Sequence, residues 1–213
     1  MKSDAEKRWD SIYKNGNGYN WVEPHAELQQ DVKMLKASGC ERVLDIGCGY
    51  GRHIAFLSER GFELYGMDIS SESIKLLSKR LDGVCDALLV QHDMLSTPFP
   101  FEDRYFACVL AFQVIHHGTS SDIAGTIREI RRLLVEDGLI IATVPIEHQA
   151  IAKKFREIEP GTLVPLDGPE LGIPHHYFDA EEIYKHFKGF RIEKMLIDEW
   201  RHWYIVARAK GEK

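Results

Sequence analysis

Three acids and two pairs of histidines stand where side chains could do chemistry. Asp45 closes an apolar run and is followed by alternating glycines, Gly47, Gly49 and Gly51, in the stretch VLDIGCGYGRH. Asp68 comes 23 residues after Asp45, and Asp93 ends a third strand-like run. Glycines at this spacing permit turns with φ > 0 and leave bare backbone for a ligand to approach. A carboxylate beside such a loop repels pyrophosphate and suits a cationic amine, so the expected ligand is zwitterionic. An acid roughly 20 residues further on is where α/β nucleotide sites hold a ribose, because one carboxylate accepts from two hydroxyls. Asp93 could accept from an exocyclic adenine amine while Met94 offers its backbone amide to the ring.

The histidines suggest a second half to the site. His116 and His117 lie in QVIHHG, directly after the apolar run Tyr105 to Phe112. Such groups can bind or deprotonate a reacting partner, although either ring could instead pack at the mouth as a neutral imidazole. His175, His176 and Tyr177 close a long loop and could line the same crevice or fasten the loop to the core. No metal is expected: adjacent histidines do not readily share one ion from a strand end, and no Asp or Asn cluster suggests magnesium.

Each of these readings has a plainer competitor. The dinucleotide pattern G-x-G-x-x-G would need a glycine where Arg52 stands. Asp68 could merely cap the helix beginning near Ser70, and Asp93 alone would be a turn residue. The glycine loop upstream tilts Asp68 toward ribose, and Asp93 gains weight as the third acid at a third strand end.

These residues must be held by elements that the periodicity places in order. Trp9, Ile12 and Tyr13 share one side of a short N-terminal helix, followed by a glycine-rich turn and Trp21; this segment either straps onto the core or closes as a flap. Pro24 opens a second helix carrying Leu28, Val32 and Leu35, with Ser38 and Gly39 as its stop. After the glycine loop come a helix through Ile54 and Leu57, a strand over Phe62 to Met67, a helix from Ser70 to Arg80 and a strand over Ala87 to Gln91. Tyr105 to Phe112 form the fourth strand. Ser120 or Ser121 caps an amphipathic helix ending at Glu136 to Gly138, and Leu139 to Val144 form the fifth strand. A helical piece is expected over His148 to Ile158, then a loop rich in proline and glycine. Asp179 with Glu182 starts a last helix like a capping box, before two strands, Arg191 to Asp198 and Trp203 to Ala209.

The fold class is therefore α/β, a doubly wound Rossmann-like sheet of seven strands, mostly parallel and closed by a C-terminal antiparallel hairpin. In such a sheet the fourth strand lies across the topological switch from the first, so its tip faces the reacting atoms. The 213 residues suit one domain, divided into an N-terminal segment 1–39, a core 40–145, a lid 146–178 and a C-terminal part 179–213.

Composition narrows the partners. The net charge of −6 with scattered basic residues argues against a nucleic-acid backbone and favours a small molecule. No apolar run is long enough to span a bilayer, and the charged start MKSDAEKRWD is not a secretory signal, so a cytoplasmic protein is expected. Cys40, Cys48, Cys85 and Cys108 are far apart and are expected to be reduced, mostly buried thiols.

The pattern D-x-G-x-G-x-G, with Asp68, Asp93 and the run REIRRLLVEDGLIIATV, resembles the class I S-adenosylmethionine-dependent methyltransferases of the broad small-molecule group. WDSIY and Trp21 are also similar to the N-terminal segments of tellurite-resistance and thiopurine methyltransferase-like proteins. Ala107 stands where the family often has an Asp, at the strand end away from the ligand, which bears on packing. The resemblance implies S-adenosyl-L-methionine as cofactor, with S-adenosyl-L-homocysteine as product. It implies that Asp45, Gly47, Cys48, Gly49 and Gly51 hold the methionine part, Asp68 with Ile69 the ribose, and Asp93 with Met94 the adenine. Phe112 and Gln113 would meet the methionine end, and Tyr13 and Trp21 would close over the cofactor. The implied reaction is in-line methyl transfer to an oxygen, nitrogen or sulfur of a small molecule, with His116, His117 and Tyr177 handling the acceptor. The alternatives are a sensor or partner subunit that binds the cofactor without turnover, and a tRNA or protein methyltransferase.

Overall fold

The computed structural model describes residues 2–16, 22–37, 39–146 and 154–211. Seven strands form the main sheet: β1 (Arg42–Ile46), β2 (Glu63–Asp68), β3 (Ala87–Gln91), β4 (Phe106–Phe112), β5 (Leu134–Pro145), β9 (Phe190–Ile197) and β10 (His202–Ala209). Their order is β3-β2-β1-β4-β5-β10-β9. The first five are parallel, and β10 runs antiparallel between β5 and β9. The switch point lies between β1 and β4, where Val43 pairs with Cys108, as the doubly wound expectation requires.

Alternation along β1 sends successive side chains to opposite faces. Leu44 and Ile46 enter a core with Ile123, Ile127 and Ile130 of α5 (Ser120–Leu133) and Ile183 of α6 (Ala180–His186). Val43 enters the other core, with Leu28, Val32 and Leu35 of α2 (Ala26–Ala37), Ile54 and Leu57 of α3 (Arg52–Ser58), and Leu77 and Leu81 of α4 (Ser71–Leu81). Each such aliphatic side chain contributes roughly 2 kcal/mol by leaving water. The two cores clamp the sheet, so the loops at its carboxyl edge start from fixed positions.

The N-terminal helix α1 (Asp4–Lys14) packs on the start of α4 through one buried acid. Asp10 Oδ1 accepts from Ser70 Oγ at 2.7 Å and from the Glu72 amide at 3.1 Å, and its other oxygen meets Lys2. All four cysteines are free thiols, and three of them are buried. No helix among the described residues is long and apolar enough to cross a membrane.

Three expectations from sequence are corrected. The N-cap of α5 is Thr119, not Ser120 or Ser121; its side chain accepts from the Asp122 amide while Asp122 returns the bond. The chain passes straight from α5 into β5 at Leu134, so Glu136 to Gly138 lie inside the strand run, with Asp137 at φ 58. The helix expected over His148 to Ile158 falls partly on 147–153, outside the described residues, and the remainder is strand. Phe155–Glu159 (β6), Thr162–Pro165 (β7) and His175–His176 (β8) form a separate antiparallel sheet, turning at Gly161 with φ 77. Apolar residues in so short a run fit either period, and pairing with β7 decides for strand. Ser38 and Trp21 also lie outside the described residues.

Candidate functional site

The glycine loop joins β1 to α3 at the switch point. Gly47, Gly49 and Gly51 all adopt positive φ, at 64°, 53° and 75°. At Gly49 a Cβ would stand 2.6 Å from Tyr13 Oη, so the loop and α1 touch only because this position carries no side chain. The amides of Gly47 and Cys48 donate to the Met67 carbonyl at 2.7 and 3.1 Å, tying the loop to β2. Cys48 turns its side chain into the core, where burial pushes the thiol up, and leaves its backbone at the cavity.

Asp68 at the tip of β2 is 6% exposed. One oxygen accepts from the Gly49 amide at 2.9 Å and the other from the Ser70 amide at 2.8 Å. Each oxygen keeps a second lone pair. The cap of α4 is Ser70, whose side chain accepts from the Ser73 amide, so the competing capping role is filled by another residue. Burial pushes the Asp68 carboxyl up to about 6, opposed by those two amides.

Asp45 is 3% exposed, and its Oδ2 has no hydrogen-bond partner among the described residues. The nearest cationic candidate, His53 Nδ1, lies 3.7 Å away, beyond a hydrogen bond. Burial lowers the pKa of His53, the Asp45 carboxylate only partly offsetting it. A buried acceptor without a protein donor calls for a partner from outside the chain, a ligand group or an ordered water.

The glycine loop, His53 and Asp68 line one cavity of about 300 Å³; Asp45 is not among the lining residues, although its neighbours Ile46 and Gly47 are. Tyr13, Ile69, Asp93, Met94, Phe112 and Gln113 border it, as expected. Tyr13 is buried, and burial beside Asp68 pushes its phenol up. Asp93 Oδ1 accepts from the Leu95 amide at 2.9 Å, and the Met94 carbonyl accepts from Thr126 Oγ1 at 3.1 Å. Gln113 sits at φ 53, and its amide donates to Thr143 at the backbone carbonyl and at Oγ1. A non-glycine residue held in the left-handed region at a strand tip marks a place where local strain is tolerated for position.

The far end of the same cavity is made of imidazoles. His116, His117, His175 and Tyr177 all border it, with Glu170 and the edge of Trp9. Trp9 meets His117 edge-on at 5.1 Å, which brings α1 over both halves. Burial drives His116 well below its ordinary pKa and His117 down to about 3, so both rings are neutral near pH 7. His176 turns away from the cavity toward Thr162, with Nδ1 2.7 Å from the hydroxyl.

Sequence reasoning missed a second buried network. His25 Nε2 lies 2.9 Å from Asp198 Oδ2, and Asp198 Oδ1 accepts from the His202 amide at 2.8 Å. His202 Nδ1 is 3.4 Å from Gln113 Nε2, and the His25 amide donates to His53 Nε2 at 3.5 Å. Burial pushes Asp198 up, but hydrogen bonds from His202 and His25 outweigh it and hold the carboxyl well below the usual range. His53 and His202 reach the cavity. The only sequence signal was histidine and acid at element ends.

Comparison with known proteins agrees with this geometry. Residues 43–138 match the family model of the methyltransferase domain. This segment is similar to that family, and the described residues share the fold of solved S-adenosylmethionine-dependent methyltransferases. The relative YqeM of Bacillus subtilis (strain 168), assigned by name to the methyltransferases, is 29% identical over 129 residues, which are 59% of this chain and 52% of YqeM. The chain spans about half the length of the curated relatives it matches. A 1,6-didemethyltoxoflavin-N1-methyltransferase from Burkholderia thailandensis, solved with 1,6-didemethyltoxoflavin and S-adenosylhomocysteine bound, superposes with TM-score 0.71. It is 18% identical over 97% of this chain and 88% of its own. The cyclase SpnF superposes with the same TM-score, 0.71, at 14% identity, covering 100% of this chain and 97% of its own. One fold thus carries more than one chemistry.

Proposed function

We propose that this chain is an S-adenosylmethionine-dependent methyltransferase acting on a small-molecule oxygen, nitrogen or sulfur acceptor. The observation that carries the reading is one cavity lined by the glycine loop, Asp68, Asp93 and the histidine end, with the buried, unpartnered Asp45 Oδ2 in the strand that feeds the loop. Asp45 would take the amino group of the methionine part, Asp68 the ribose hydroxyls on its second lone pairs, and Asp93 with Met94 the adenine. Bound there, the cofactor supplies a methyl carbon made electrophilic by the attached sulfonium. The chain's own residues then have to hold a nucleophile in line and exclude water.

His116, His117 and Tyr177 hold the acceptor. With a pKa near 3, His117 is a weak proton acceptor, so its part is to position rather than to deprotonate. The net charge of −6 and a cavity of about 300 Å³ favour a small acceptor over tRNA or protein. The second reading, a protein that binds the same ligand without methyl transfer, is kept open by the fold shared with a cyclase.

Calorimetric titration with S-adenosylmethionine, S-adenosylhomocysteine and NAD, repeated on Asp68→Ala, tests the reading. Micromolar binding of the two sulfur ligands, lost in the variant and absent for NAD, is the expected result and opens an acceptor screen. Failure of both sulfur ligands to bind the folded protein would end it. Binding without turnover across hydroxyl, amine and thiol acceptors would favour the second reading.

A further inference from the structure

We propose that His116, His117 and His175 form a binding site for one divalent transition-metal ion of the zinc type at the acceptor end of the cavity. One ligand atom from each ring lies within 4.8 Å of the others. The ring centroids of His116 and His117 are 3.9 Å apart, and that of His175 is 4.7 Å from His117 and 5.6 Å from His116. The expectation of no metal weighed the adjacent histidine pair and the lack of an Asp or Asn cluster, without a third imidazole beside the pair. The third imidazole comes from β8, across the inserted sheet.

Two observations point to a cation rather than to packing. His116 is 7% exposed, and its Nδ1 has no hydrogen-bond partner among the described residues. His175 faces two acceptors, with Nδ1 2.8 Å from the Ile173 carbonyl and Nε2 2.8 Å from Glu170 Oε2. A neutral imidazole has one N–H, so one of these contacts sets a lone pair against a lone pair. A second proton would answer His175 alone and leave His116 unpaired. A metal ion answers both: His175 keeps one outer partner, carbonyl or carboxylate, and turns its other nitrogen to the ion, the arrangement usual for metal-bound histidine.

The donor set selects the ion. Imidazole nitrogens suit zinc, copper, iron and nickel, whereas magnesium and calcium prefer oxygen. Ligand atoms round a tetrahedral zinc stand about 3.3 Å apart for bonds of about 2.0–2.1 Å, so binding draws the rings inward. Three protein ligands leave a position open to the cavity. On the methyltransferase reading, on which this last step rests, that position selects acceptors carrying a hydroxyl or thiol able to complete the coordination.

Cobalt(II) chloride titrated into the full chain after chelator dialysis reads the site by its visible ligand-field band, with the zinc content of a parallel sample measured by mass spectrometry. The expected result is one ion per chain at micromolar or tighter affinity, weakened at least about 100-fold in both His116→Ala and His175→Ala. S-adenosylhomocysteine binding in each variant reports that it is folded; His117→Gln serves where an alanine variant is not. No cobalt band in a protein that still binds S-adenosylhomocysteine would overturn the metal site and leave the methyltransferase reading standing. A band unchanged in the histidine variants would also overturn it, the ion then sitting elsewhere. Cobalt bound through these histidines with no sulfur ligand bound would support the site while removing the methyltransferase reading.

Discussion

The two ends of the cavity are built on different plans. At the cofactor end Asp68 and the glycine loop sit at the tips of parallel strands, and backbone fixes them: Asp68 is gripped by the Gly49 and Ser70 amides, and the loop by the Met67 carbonyl. At the acceptor end side chains from distant stretches meet each other, His116 and His117 from the β4 tip with His175 from the inserted sheet. The first plan tolerates little change of backbone and much change of neighbours. The second is the reverse, which lets one scaffold keep its cofactor while its acceptor varies.

The largest effect that would test this difference falls on the loop. Gly51→Ala places a Cβ against the Leu77 side chain at φ 75, so left-handed strain and overpacking together should cost about 2–5 kcal/mol in urea unfolding. His117→Ala, by contrast, should leave the urea midpoint nearly unchanged. Equal losses would erase the distinction.

Next in size, Asp68→Asn removes charge-assisted hydrogen bonds worth about 1.5–3 kcal/mol and should weaken S-adenosylhomocysteine about 10- to 100-fold by calorimetry. His117→Ala should change that affinity less than about threefold. A matching loss would mean the ends are coupled.

Acidity gives a further contrast. With its carboxyl raised to about 6, Asp68 is protonated in the folded chain over a range where the unfolded chain is already ionised. Its contribution to stability is therefore full below about pH 4 and lost as pH rises through 6, on the order of 3 kcal/mol, read as the difference between the wild type and Asp68→Asn. Ribose hydroxyls need the ionised form, so cofactor affinity should fall about tenfold from pH 7 to pH 5. A flat profile in the wild type would place the carboxyl's titration elsewhere.

The smallest effect concerns the support of the acceptor end. Thr119→Ala removes the cap of the helix that follows the histidine turn and should cost about 1 kcal/mol, visible as a lowered thermal midpoint.

The same contrast explains what could be read from sequence. The positions of Asp68 and Asp93 on one cavity were legible because a parallel strand ends where its apolar run ends, and the order of strands then brings their tips together. The capping box at Asp179 was legible for the same local reason. His175 beside His117 was not, since that contact depends on how β6 to β8 pair, and short apolar runs fit strand and helix alike. The His25, Asp198 and His202 network escaped because its members join the α2 start to the β9–β10 turn, a meeting fixed only by β10 lying beside β5. No periodicity encodes such a contact.

The His176 amide donates to the His116 carbonyl at 2.9 Å. The inserted sheet is thereby stitched, main chain to main chain, to a residue that lines the histidine end of the cavity. Its deuterium uptake is consequently a clock for detachment of that sheet from the rim: the proton can leave only when the stitch opens. A compound that seats between the histidines would slow the clock, even before any product is seen.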